Sequence, residues 1–409
     1  MKELLPPKAR DYQERARSVA ESAVRPIAAE LDRTGEYPWK VIEALRAADL
    51  MGIWIPEEYG GQGAGVLDLC VVVEQLSRAC GGVGVAYAVN ALGSFPIIIG
   101  GSEEQKRRWL PPIASGEKLI AFGLSEKASG SDAGSLRTRA ELDGDSWVIN
   151  GEKKWNTNGN AASFYTVYCS TRPDRGSRGI SAIVVEKGTP GFEIGKREDL
   201  MGIRCVPVHE LHFRDCRVPK GNLLGDQEGK GFGNAMQTLD RARPGVAAQA
   251  LGLAQGALEW AMRYTSERQQ FGQSVMSFQA TQFKLADMAT EIEAARQLVY
   301  AAARAIDEGH PGTSKFAAMC KVFATDVAMR VTTDAVQMFG GYGYCRDYPI
   351  EKYMRDAKIT QIYEGANQIQ RLVIGRALTK EATALGPVLD VKVEHFPEFA
   401  AQLATTEAK

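Results

Sequence analysis

Hydrophobic positions recur at helical spacing in the first part of the chain: Val41, Ile42, Leu45 and Ala48, then Val71, Val72, Leu76 and Ala79. Breakers separate these pieces at Tyr37-Pro38, at Gly60-Gly61-Gln62-Gly63 and at Cys80-Gly81-Gly82. Near Leu119 the texture changes to short β-branched and aromatic runs between Gly, Asp, Asn and Pro. Trp147-Val148-Ile149 runs into Asn150-Gly151, which predicts a hairpin turn. Residues 164–168 and 180–185 read as buried strands, and Leu211 and Phe213 alternating with His212 and Arg214 predict a strand with one wet face. From Gly231 the helical period returns. Leu251, Ala254, Leu258, Ala261 and Met262 mark one buried stripe; Phe283, Leu285, Met288, Ile292, Ala295, Val299 and Ala302 mark another. A third segment runs from Thr313 to Phe339 and stops at Gly340-Gly341. Long helices with short connectors predict an antiparallel bundle. The expected fold is thus α+β and multidomain: an N-terminal helical domain (1–118), a middle β-sheet domain (119–228), a C-terminal helical bundle (229–384) and a terminal arm (385–409).

Composition narrows the class. A chain of 409 residues suits two or three packed subdomains, and 44% hydrophobic with 24% charged residues is a globular balance. Lys and Arg total 49 against 50 Asp and Glu, which argues against a nucleic-acid binder held by bulk charge. No run is read as approaching the roughly 18–20 apolar residues a bilayer span needs. Residues 1–27 carry Glu3, Asp11, Glu14 and Glu21 without an apolar signal core, so a cytoplasmic protein is expected. Seven scattered cysteines with no CxxC pair read as reduced packing thiols. Four histidines, none on an HExxH helix, give no expected metal site.

The common nucleotide and hydrolase signatures are missing. Gly61-Gln62-Gly63 reaches Val66, and Gly229-Lys230-Gly231 reaches Asn234, where GxGxxG needs its last glycine. Gly229-Lys230 lacks the following Ser or Thr of a Walker A loop, and there is no GxSxG elbow. Four other segments stand out. Residues 122–132 (FGLSEKASGSD) offer backbone N–H groups and Ser hydroxyls suited to a diphosphate or a flavin edge, or to an ordinary turn. In residues 153–159 (KKWNTNG), Trp155 and Thr157 share a strand face, so one could cover an aromatic cofactor while the other bonds its edge; a half-buried core Trp also fits. Residues 267–272 (ERQQFG) bring an Arg suited to phosphate, or a solvated helix end. In residues 361–371 (QIYEGANQIQR), Glu364 sits among apolar neighbours, where a carboxyl becomes a tunable base or, more plainly, a helix cap.

Together, in this order and spacing, these segments resemble the acyl-CoA dehydrogenase family, medium- and short-chain branch, from about Asp11 to Leu378. The residues that carry the resemblance are Gly123-Leu124-Ser125-Glu126, Gly130-Ser131-Asp132, Trp155 with Thr157-Asn158-Gly159, and Asp240-Arg241-Ala242-Arg243-Pro244. Glu267-Arg268, Phe271-Gly272, Gln337 with Gly340-Gly341, Arg355-Asp356-Ala357-Lys358 and Tyr363-Glu364-Gly365 continue it. The resemblance implies a helical domain, a barrel-like β domain and a four-helix bundle, with FAD between the last two. It implies flavin contacts at Phe122, Leu124, Ser125, Gly130, Ser131, Trp155 and Thr157, with Ala366 and Gln368 after the base. Arg268, Gln270, Phe271, Gln279, Gln337 and Gly341 would come from a neighbouring subunit, which implies a homotetramer. Ser131, Asp240, Arg243, Gly365 and Arg376 match positions that touch the CoA thioester.

The implied reaction is α,β-dehydrogenation of an acyl-CoA to the trans-2-enoyl-CoA, a β-oxidation step. Glu364 takes the α-proton, flavin N5 takes the β-hydride, and an electron-transfer flavoprotein accepts the electrons. The backbone N–H of the base and a flavin ribityl hydroxyl would polarise the carbonyl. Branches that place the base elsewhere use the site of Ala242, which leaves Glu364 as the base here. Phe122 for Tyr, Lys127 for Pro, Ser129 for Ala and Ala366 for Thr depart from the usual pattern without removing a reacting group. An acyl-CoA oxidase and a flavin-free acyl-CoA binding protein are the rival readings. Residues 81–96, expected to line the acyl pocket, carry no charge; Tyr87 is expected to shorten a straight tunnel, and small neighbours to widen it for branched, cyclic or aromatic groups.

Overall fold

The computed structural model describes residues 5–385, so the expected terminal arm lies, apart from Leu385, outside the described residues. Six helices come first: α1 (Pro7–Val19), α2 (Ala28–Thr34), α3 (Trp39–Ala47), α4 (Val66–Ala79), α5 (Gly81–Gly100) and α6 (Glu103–Ala114). The sequence suggested one buried face for α4; the structure buries every residue of it except Asp68, because α1, α5, α7 and α8 pack around it. Its charged side chains are paired accordingly. Glu74 accepts from Arg296 Nε (3.1 Å) and Tyr300 OH (2.5 Å), and Arg78 reaches Glu259 (2.6 Å) and Glu21 (2.8 Å). The free N–H groups at the start of α4 are capped from far away, since the Asp307 carboxylate accepts from Val66 N (2.6 Å) and Leu67 N (3.0 Å). Asp307→Ala should cost about 1–2 kcal/mol, the usual loss of a helix cap, read as a lower urea midpoint.

α5 corrects one expectation. It is long and apolar enough by composition to cross a membrane, but 78% of that window is buried inside the fold, so it is a core helix. Its apolarity serves packing on several sides, a pattern that cannot be told from a membrane span by composition alone.

Seven strands follow: β1 (Ile120–Gly123), β2 (Arg139–Asp143), β3 (Ser146–Thr157), β4 (Phe164–Ser170), β5 (Ile180–Glu186), β6 (Phe192–Arg197) and β7 (Val208–Pro219). β4 pairs in parallel with β1 and antiparallel with β5, while β2, β3, β7 and β6 form an antiparallel run that joins β4 only at Arg139–Ser170. The result is a half-barrel around Trp147, Ile149, Tyr165, Val167, Leu211 and Phe213. The expected hairpin at Asn150-Gly151 is not there. β3 runs straight through it, and the turn comes earlier, around Gly144 at φ 60°. Asn150-Gly151 instead makes a bulge against β7, where the register shifts between Ile149 and Gly151. Gly151 has φ 145°, and a Cβ there would sit 2.7 Å from Thr138 Cα; Asn150 exchanges bonds with Asp215, whose N–H donates to Asn150 Oδ1 (2.8 Å). The same backbone freedom that makes hairpin turns thus serves a bulge.

The remaining helices are α7 (Gly231–Glu267), α8 (Gln279–Asp307), α9 (Thr313–Phe339), α10 (Ile350–Lys358) and α11 (Asn367–Ala384), with a small ribbon of β8 (Gln269–Gln270) and β9 (Gln273–Ser274) before α8. α9 has the bounds its pattern predicted. Met262 and Phe283, read as stripe members, are instead 46% and 60% exposed, on faces that no described element covers. Six of the seven free cysteines are buried and Cys345 is exposed.

Candidate active site

Where the half-barrel, α5, α7 and the turn before α11 meet, the chain encloses a cavity of about 450 Å³. One wall is the more polar: Phe122, Leu124 and Ser125 at the end of β1, then Gly130 and Ser131, with Trp155 and Thr157 from β3. Trp155 sits in a second bulge, with φ 56° and a register shift between Lys153 and Asn156, so its ring stays 53% exposed while Asn156 turns into the core. The opposite wall is apolar and comes from Leu69 on α4, from Val85, Ala88, Leu92 and Phe95 on α5, and from Leu239 and Val246 on α7.

Tyr87 does not shorten this space. It lies on the opposite face of α5, completely buried, with its ring edge against Trp54 and its hydroxyl donating to Leu50 O (2.7 Å). Helical periodicity gives the reason: 85, 88, 92 and 95 fall on one face, and 87 does not.

Glu364 closes the far end of the cavity. Its backbone has φ 52° and is followed by Gly365 at φ 97°, two left-handed residues in sequence. The turn is held by its carbonyls. Gln370 Nε2 donates to Glu364 O (3.2 Å) and Gly365 O (2.9 Å), Arg243 Nε to Glu364 O (3.4 Å), and Lys321 Nζ to Gly365 O (2.9 Å). The Glu364 N–H, by contrast, finds no acceptor among the described residues. Oε2 of its carboxyl is buried and finds no donor. Burial pushes this carboxyl up to about 7, against a downward pull from Arg243 and Lys321.

The polar wall rests on a buried ion pair. Lys153 is fully buried; its Nζ donates to Glu126 Oε1 (2.8 Å) and Leu124 O (3.2 Å). Glu126 also accepts from Arg137 N (2.6 Å) and Thr138 N (2.9 Å). Burial alone would raise the Glu126 carboxyl, but Lys153 and these donors more than offset it and hold it below its ordinary value. Ser129, the departure from the family's Ala, closes the loop by donating to Asp132 O (2.6 Å).

The other expected site residues distribute as follows. Arg243 and Gly365 line the cavity; Arg243 is 6% exposed and paired to Asp240 (2.7 Å), which lies behind it rather than on the wall. Ala366 is the residue before α11, and Gln368 is exposed on its first turn. Arg376 is exposed further along α11, outside the cavity, because the helix carries it away from the turn. Arg268, Gln270, Gln337 and Gly341 meet in a separate, open cavity with Tyr264 and Tyr342. Phe271 is 93% exposed at φ 52°, and Gln279 is exposed at the start of α8; neither lines that cavity. The sequence reading missed Gln249, which donates to Gly81 O (2.9 Å) and accepts from Tyr363 OH at the cavity's edge. It also missed Phe232, Met236 and Leu239 on the first turns of α7, although their i, i+4, i+7 spacing marks one face.

Residues 6–117 match the acyl-CoA dehydrogenase N-terminal domain, 121–216 its middle domain and 229–379 its C-terminal domain. The probable acyl-CoA dehydrogenase fadE25 of Mycobacterium bovis is 48% identical over 376 residues, covering 92% of this chain and 96% of its own. The butyryl-CoA dehydrogenase of Megasphaera elsdenii is 46% identical, with a TM-score of 0.89 over 92% of this chain and 99% of its own. A chain from a structure described as the electron transferring flavoprotein of Acidaminococcus fermentans is 51% identical, with a TM-score of 0.89 over 91% of this chain and 98% of its own.

Proposed function

Because the chain belongs to the acyl-CoA dehydrogenase family and is an acyl-CoA dehydrogenase, an oxidoreductase, we propose that it converts the CoA thioester of a short, uncharged acyl group to the trans-2-enoyl-CoA with Glu364 as the base. The observation that carries this is Glu364 lining a cavity with one apolar and one more polar wall, its carboxyl bonded to no other side chain and its Oε2 buried without a partner. A carboxyl poised near 7 is strong enough to take a proton and still be ionised at neutral pH. The free Glu364 N–H offers the thioester oxygen a donor beside the carboxylate, so proton removal and carbonyl polarisation come from one residue. The apolar wall receives the acyl chain and excludes water. Similarity to a butyryl-CoA dehydrogenase supports a short chain.

The family is FAD-dependent, and bound FAD supplies the acceptor for the hydride that leaves the β-carbon. The residues present suit a flavin ring: Ser125, Ser131 and Thr157 give donors along one edge, and the Trp155 ring lies uncovered beside them. Phe122, Leu124 and Gly130 complete that wall. Arg268, Gln270, Gln337 and Gly341 in the second cavity, with the exposed Phe271 and Gln279, would hold the cofactor of a neighbouring subunit, in a homotetramer. Ser131, Arg243 and Gly365, with Asp240 behind Arg243 and Arg376 further out, would serve the thioester; Ala366 and Gln368 would flank the flavin. Likeness to a chain from an electron transferring flavoprotein structure supports such a flavoprotein as acceptor, in a cytoplasmic β-oxidation step.

Purified protein should be yellow and reduce an artificial electron acceptor when given butyryl-CoA, with crotonyl-CoA as product. Colourless protein inert to straight, branched, cyclic and aromatic acyl-CoA esters would overturn the reading, and peroxide release would turn it toward an oxidase. The rate should also rise with pH through about 7, since the base works only when ionised, and kcat/KM between pH 5 and 9 checks it.

A further inference from the structure

Behind the Glu364–Gly365 turn stands a lysine that takes no direct part in moving the proton. Lys321, on α9, is completely buried, whereas lysine heads ordinarily reach for water. Burying an ammonium costs several kcal/mol unless its donors are met. Two are met by neutral oxygens, Gly365 O and Asn367 Oδ1, both at 2.9 Å. Asn367 is itself fixed by its Nδ2 donating to Thr325 Oγ1 (2.9 Å) and Asp326 Oδ1 (2.8 Å). The amine therefore occupies a built seat. It makes no ion pair among the described residues, although it feels the charge of Glu364.

The turn it holds is one that needs holding. A non-glycine residue at positive φ costs of order 1–3 kcal/mol and persists only where its surroundings over-determine it. Three side chains from three helices clamp the two carbonyls here: Arg243 from α7, Lys321 from α9 and Gln370 from α11. Arg243 brings its own carboxylate, Asp240, and Gln370 is neutral. Lys321 alone places a sheltered positive charge behind the base with no other acid bonded to it.

We propose that Lys321 is the positioning residue of the catalytic turn: its ammonium pins the Gly365 carbonyl so that Glu364 faces the substrate, and its charge favours the ionised, proton-accepting form of Glu364. This rests on Glu364 being the base. When the substrate's α-proton moves, it ends on the Glu364 carboxylate, and Lys321 keeps its own protons. Burial pushes the amine down, and the charges of Glu364 and Asp326 pull it back up, so the ammonium and the ionised carboxyl favour one another. The other charged or titratable groups facing the pair are Arg243 with Asp240 from α7, Asp326 of α9 with its partner Arg371 of α11, and Tyr363 of the turn.

The test compares Lys321→Met and Lys321→Arg holoenzymes with wild type, measuring flavin content, kcat, KM and the pH at which kcat reaches half its plateau. Removing the positive charge raises the carboxyl's pKa, so in Lys321→Met that midpoint should move up by about one unit. Its kcat at pH 7 should fall roughly 10- to 100-fold with KM nearly unchanged, the mark of an interaction used in the transition state. Lys321→Arg keeps the charge but not the seat, so it should lose kcat with the midpoint in place. A purely structural lysine would lower kcat in both variants without moving either midpoint, and that result overturns the proposal. If Lys321→Met does not retain flavin, Lys321→Gln, which removes the charge but keeps a donor, takes its place: a raised midpoint supports the proposal, while an unmoved midpoint or full activity overturns it. A wild-type pH profile that Glu364→Gln leaves unchanged would instead remove the base assignment itself.

Discussion

Glu364→Gln is expected to keep the fold and bound flavin while losing roughly 10²–10⁴-fold in kcat, the range for removing a positioned general base. The amide has the size of the carboxyl and its backbone N–H stays in place, so substrate should still bind with KM little changed. What disappears is the acceptor for the α-proton. The same variant carries a stability signature of opposite sign. Glu364's folded pKa, about 7, lies above its ordinary 4.5, so folding favours the protonated form. The associated stability is fully present below about 4.5 and is lost as pH rises through about 7. A glutamine never pays that penalty. Glu364→Gln should therefore be more stable than wild type above pH 7, by at most about 3 kcal/mol, with the difference closing toward acid pH. Stopped-flow reduction of the flavin and thermal midpoints at pH 5 and 8 check the two halves. Near-normal turnover in this variant would remove Glu364 from the mechanism.

Breaking the pair beneath the polar wall should have the largest effect on stability. Glu126→Ala leaves the Lys153 amine without its carboxylate at a fully buried site and strips the acceptor from Arg137 N and Thr138 N. Removing one partner of a buried pair costs about 3–5 kcal/mol, enough to consume a large share of a domain's stability. The damage should extend to the cavity, because Lys153 also holds Leu124 O and Lys154 N donates to Ser125 O (2.8 Å). Weakened flavin retention should accompany the lower urea midpoint. Glu126→Leu combined with Lys153→Met removes both charges at once and should recover much of the loss. A double variant no better than Glu126→Ala would mean that the backbone bonds to Glu126, rather than the ion pair, carry the effect.

Much of this was legible in the sequence where one periodicity ruled. α9 has its predicted bounds because a sustained helical stripe ends on two glycines, and β5 and β7 follow their apolar runs. Asn150-Gly151 misled because its dihedral freedom suits a bulge as well as a turn, and only the pairing with β7 chooses between them. α4 looked one-faced because only Val71, Val72, Leu76 and Ala79 made a stripe; the partners that let Glu74 and Arg78 be buried lie 57 to 226 residues away, at a separation no local window sees. Lys321 was invisible for the same reason, since a lone lysine on a helix is ordinarily a surface residue. The cavity's polar wall was found through its glycines and hydroxyls. The face of α7 that completes the cavity was not, because the stripe that lines it looks like any other packing stripe.

The distant cap on α4 sets an order for biosynthesis. Val66 and Asp307 are separated by 241 residues, so at roughly 5–20 residues per second the start of α4 leaves the ribosome about 10–50 s before its anchor exists. Through that interval Glu74 and Arg78 lack their C-terminal partners, and α5 has no finished core in which to hide. The first third of the polypeptide, made by itself, should be insoluble or chaperone-bound, and this enzyme is a poor candidate for splitting into separately expressed halves.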